Sequence, residues 1–149
     1  MFYMRFARLV VSLQALIWAG LALAYWIWPY EMANANGMVL MDTASVIDTQ
    51  VYYGAVPFGL ALFAVLAVVY REELIRAVLV LMLFVHFSMV TVRFLGALLN
   101  DSDSANFDLY GQLYKLGMTV LAIVALRLLN QGERQSRIHQ RARRELEES

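Results

Sequence analysis

Cysteine is absent from this 149-residue chain. Disulfides, thiolate metal sites and cysteine nucleophiles are therefore excluded, and with them membrane thiol oxidoreductases, whose chemistry needs a dithiol. Charge is scarce as well, at 16% of residues, while 61% are hydrophobic. With a mean hydropathy of +0.59, the chain is too apolar for one soluble domain and too short for two. It reads as an integral membrane protein.

Other chemical signatures are missing. No glycine-rich phosphate loop, HExxH or nucleophile elbow occurs, and Asp101-x-Asp103 lacks the glycine and terminal glutamate of a calcium loop. No nucleic-acid-reading motif accompanies the arginines. Nucleic acid is therefore not an expected partner, and neither a catalytic residue set nor a metal site is expected.

What is present is four apolar blocks, at residues 9–28, 51–70, 74–99 and 109–129. Each meets the roughly 20 residues that a helix needs to cross hydrocarbon. The first is too long for the apolar core of a signal peptide and ends in "YWIWPY", an aromatic belt suited to the headgroup level. The expected fold is an all-α bundle of four transmembrane helices in one domain, residues 1–130. Residues 131–149 form a charged tail or short helix, where Ile138, Ala142 and Leu146 make a thin apolar stripe.

Of the 12 basic residues, all but Arg93 and Lys115 lie at the N-terminus, between blocks two and three, or at and beyond the end of block four. The positive-inside rule makes that side the cytoplasm, with both termini inside. The expected location is a bacterial cytoplasmic (inner) membrane. Glu31 and every aspartate lie on the opposite side.

Arg93 and Lys115 need a reason to stand within spans, because a guanidinium or ammonium is costly in hydrocarbon. His86, Met89 and Arg93 share one helical face; Asp108, Gln112, Lys115 and Thr119 share another. Asp48 and Tyr53 open the second span. An inward polar cluster of Arg93, Lys115, Asp48, Asp108, Tyr53, Gln112 and His86, open to the acidic side, is the economical arrangement. Within it, Arg93 is expected to pair with Asp48 or Asp108.

His86 lacks the second intramembrane histidine that a bis-histidine haem needs, since His139 is in the tail. A neutral histidine bonded to a neighbouring helix is the expectation, and a proton relay or quinone contact the alternative. Ala15 with Ala19, Gly20 with Ala24, and Ala55 with Gly59 have the spacing of close helix contacts. Pro57 removes a backbone donor inside the second span and should kink it.

"DTQVYYGAVPFGLALFAVLAV" (48–68), "VRFLGALLND" and the fourth apolar span together resemble the domain of unknown function 4345 family of DoxX-like four-helix bacterial membrane proteins. Asp48, Tyr53, Gly54 and Arg93 match the family pattern; Gln50 stands where it has arginine and Ala55 where it has a second glycine. The resemblance implies the fold and no particular reaction.

The first functional expectation is a non-catalytic accessory or assembly subunit of a larger membrane complex. The alternative is a ligand-binding or transport bundle for an anionic or quinone-like molecule, or an oligomeric channel. Membrane lipids, another membrane protein or further copies of the chain are the expected partners. No resident cofactor is expected; a quinone or a lipid is the kind of ligand such a bundle admits.

Overall fold

The computed structural model describes residues 2–99 and 109–148, and of 137–139, 141–143 and 145–148 the backbone alone. All of its regular structure is helical. Helix α1 (Phe2–Ile27) carries a buried stripe of Ala7, Val10, Val11, Gln14, Trp18, Ala22 and Tyr25, the three-and-four spacing of an inward face. It begins well before Leu9 because arginine is a good helix former, and Arg5 keeps its head exposed.

Proline ends α1 and starts α2 (Pro29–Ala35), since its missing N–H is harmless in a first turn. Gly37, at φ 73°, closes α2. Its N–H bonds Asn34 O and that of Met38 bonds Ala33 O, both at 2.9 Å, the pairing of a Schellman cap.

The second span then starts earlier than its apolar run. In α3 (Thr43–Thr49) the Asp42 carboxylate accepts from Ser45 N while the Ser45 hydroxyl accepts from Asp42 N. This capping box lets a polar segment enter a helix. A π-helical stretch, Gln50–Ala55, joins α3 to α4 (Val56–Val69).

Pro57 explains the π stretch. In a regular α-helix its ring would press on the Tyr53 carbonyl, whereas the wider turn, with Val56 N–H bonded to Val51 O, takes up that conflict.

Helix α5 (Leu74–Leu99) and helix α6 (Leu109–Glu148) complete the chain. Four helical segments are long and apolar enough to cross a membrane: Phe2–Ile27, Thr43–Val69, Leu74–Leu99 and Leu109–Ser136. The helix does not break at Asn130, where the composition changes, but continues to Glu148.

Helix α1 touches all three other spans, and α5 packs on α4 and α6. The core lies mainly toward the arginine-bearing end, where Ala61, Ala64 and Ala67 of α4 form a wholly or nearly buried ladder among Val10, Val11, Ile75, Leu79 and Ala122. These alanines, rather than the exposed Ala55 and Gly59, make the close helix contact. At that end Arg8 is paired with Glu72. Arg76 bonds Asn130 at 2.5 Å and Glu133 at 2.6 Å.

Candidate functional site

Three helices bring polar groups to the middle of the bundle. Gln14 occupies a core position of α1, Tyr114 the inner face of α6, and His86 the last buried position of α5. Gln14 and His86 are 0% and 2% exposed. The Tyr114 hydroxyl donates to Gln14 Oε1 at 3.0 Å. The His86 ring meets the Tyr114 ring edge-on, with centroids 5.8 Å apart.

This triad is not fully satisfied. Gln14 Nε2 and His86 Nδ1 are buried and make no hydrogen bond among the described residues. Leaving such a group unpaired costs about 1–3 kcal/mol, so Gln14 and His86 retain hydrogen-bonding capacity that these contacts do not use. Gln112, 4% exposed, adds an unpaired Oε1 on α6.

A second polar assembly ties the acidic end. Trp26 Nε1 donates to Gln50 O and Gln50 Nε2 donates to Trp26 O, each at 3.2 Å. Tyr25 stacks on Tyr53 at 5.2 Å, and Asn36 Nδ2 donates to the Tyr25 hydroxyl at 2.8 Å. Gly54 makes this clasp fit, since a Cβ there would stand 2.4 Å from Trp26 Nε1.

The residues expected to form one inward cluster are thus distributed. His86 joins the central triad, Tyr53 the aromatic clasp, and Lys115 is half-buried beside Tyr114. Asp48 is exposed on α3 and forms no ion pair among the described residues. The expected Arg93–Asp48 bond is therefore not made. Asp108, with Asp101 and Asp103, lies outside the described residues, as do the side chains of Ile138, Ala142 and Leu146.

Arg93 is exposed rather than inward. The last buried residue of α5 is His86, and Arg93 lies two turns beyond it, roughly 10 Å further along the helix, next to the segment 100–108 that lies outside the described residues.

Gln14 and Tyr114 were absent from the expected cluster, although a signal for Gln14 existed. It falls on the same stripe as Val10, Val11 and Trp18, and a glutamine at a core position of a span marks a bonded, inward group. Tyr114 is one position from the lysine that drew attention to α6. No group of three or more His, Asp or Glu that could hold a metal ion occurs among the described residues.

Compared with family models, with curated proteins and with solved structures, the chain finds no match.

Proposed function

We propose that this protein is a non-catalytic accessory or assembly subunit of a larger membrane complex, placed in a bacterial cytoplasmic membrane with both termini inside. The observation that carries this reading is the course of α6. Arg76 fixes its root through Asn130 and Glu133, and the helix then runs on to Glu148, roughly 22 Å beyond Glu133. Arg134, Gln135, Ser136, Gln140 and Arg144 along it are all exposed.

A single helix of that length is marginal in water by itself and gains stability when another surface covers an apolar stripe such as the sequence has at Ile138, Ala142 and Leu146. A helix rooted in this way suits a docking element.

Native purification from its own membrane tests the reading. The full chain is expected to bring down a second membrane protein, and truncation after Arg134 to release it while the bundle stays folded. A pure homo-oligomer that conducts solute in proteoliposomes would reject the accessory role.

A second reading, a bundle that binds a small polar or quinone-like molecule, is favoured by the unpaired Gln14 Nε2 and His86 Nδ1. It moves the binding position from the Arg93 stretch to the central triad. Its test is retention of a small molecule that Gln14→Leu abolishes.

A further inference from the structure

On the face of α1 turned away from Gln14, a cavity of about 230 Å³ opens between α1 and α4. Its floor is Ala15 and Ala19, and Val65, Val68 and Val69 form the α4 wall. Small side chains on α1, with Leu16 beside them, stand opposite branched ones on α4 and leave a slot about two helical turns long. The lining is apolar except at one end, where Ser12 lies.

That end leads to arginines. Arg5, Arg8, Ser12, Ala15 and Ala19 share one face of α1 by helical spacing, so charge, hydroxyl and hydrocarbon follow one another along a single line. Arg8 is roughly 6 Å below Ser12, and Ala19 roughly 10 Å above it. Arg8 is held by Glu72 across the mouth, and its Nε remains buried without a hydrogen bond. Arg5 and Arg71 are exposed and form no ion pair among the described residues; the Ser12 hydroxyl likewise makes no bond there.

We propose that this groove seats one anionic phospholipid of the leaflet on the arginine side. Its phosphate meets the exposed Arg5, with Arg8 held behind it by Glu72, an ester oxygen accepts from the Ser12 hydroxyl, and an acyl chain fills the slot over Ala15 and Ala19. The order of groups along the groove matches the order of groups along such a lipid. The second occupant to weigh is another copy of the chain. A two-fold dimer with its axis along the membrane normal would set α1 parallel to α1 and bring the arginines of both copies together. Like charges at the mouth disfavour that arrangement.

The proposal is independent of any partner complex, and the purified full-length protein tests it. In neutral detergent micelles doped with phosphatidylglycerol or phosphatidylcholine, native mass spectrometry should count one bound phosphatidylglycerol per chain, retained several-fold over phosphatidylcholine. Arg5→Gln should cut that preference about fivefold, the effect of one arginine near an anionic headgroup. Ala19→Phe, which fills the slot, should abolish retention of both lipids. Equal retention of the two lipids by the parent, or undiminished retention by Ala19→Phe, overturns the proposal. A parent dimer that Ala19→Phe makes monomeric overturns it too, and assigns the groove to a second copy. Should Ala19→Phe not fold, the exposed Arg5→Gln decides alone, since an unchanged preference refutes the headgroup contact.

Discussion

Toward the arginine end the bundle is closed by side chains with almost no polar atoms: alanines from α4 and α6 set against valine, isoleucine and leucine from α1 and α5. Toward the acidic end there is no comparable core among the described residues. The Trp26–Gln50 bonds and the Tyr25–Tyr53 stack hold α1 to the start of the second span, which the α3 cap begins, and α5 has no buried residue beyond His86. The boundary between the two regimes falls at Gln14, His86 and Tyr114. Close packing tolerates little change of volume, whereas exposed positions tolerate many. The arginine half is therefore the scaffold, and the acidic half is where movement costs least.

One substitution made twice in α5 gives the largest contrast. Leu79→Ala removes a side chain that is 0% exposed and should cost about 2–5 kcal/mol. Leu95→Ala, at a position 48% exposed, should stay within about 0.5 kcal/mol. Unfolding of the detergent-solubilised protein checks both, and equal losses would erase the distinction between the halves.

Two glycines make the next contrast. Gly54→Ala sets a methyl against the Trp26 indole, which Gln50 holds in place; overpacking there should cost about 1–3 kcal/mol. Around Gly59 nothing lies within 4 Å of an added Cβ, so Gly59→Ala should gain up to about 1 kcal/mol of helix stability. Trp26 fluorescence should shift in the first variant and not in the second.

The same contrast governs what could be read from the residues alone. Length and hydropathy located the four helices that are long and apolar enough to cross a membrane, because crossing demands about 20 apolar residues whatever they pack against. The helices extend beyond the apolar runs where local chemistry overrides hydropathy: Asp42 with Ser45 starts a helix in polar sequence, and Arg5 and Arg8 lie inside one. Pro57 was legible as a disturbance but not as a π turn. Of the expected cluster, Asp108 lies outside the described residues. The Arg93–Asp48 contact is not made, because spacing along one helix shows which residues share a face but not which neighbour that face meets: the last buried residue of α5 is His86, and Arg93 is exposed.

At the boundary, the Tyr114–Gln14 bond should act as a coupled unit. Tyr114→Phe and Gln14→Leu each leave one buried polar group unpaired and should each cost about 1–3 kcal/mol. The double variant removes both partners and should cost less than the sum of the two, with a coupling of about 0.5 kcal/mol or more. Strict additivity would mean that the two side chains do not meet in the folded protein.

The smallest effect belongs to the fully exposed cap of α3, and it depends on pH. The Ser45 backbone N–H, together with the Ser45 side chain, holds the Asp42 carboxyl below its ordinary range. Since the folded form binds this proton more weakly than the unfolded one, the cap's contribution is whole above about pH 4. It fades as pH falls through the lowered value, when the protonated carboxyl gives up its charge-assisted bond. Hydrogen exchange at the Ser45 amide, corrected for intrinsic rate and referred to the buried Val78 amide, should therefore accelerate only in strongly acidic solution. Asp42→Asn supplies the control, because asparagine also caps helices but does not titrate. If parent and Asp42→Asn lose Ser45 protection at the same pH, the carboxylate does not hold this end of the second span, and the loosening of the acidic half has another origin.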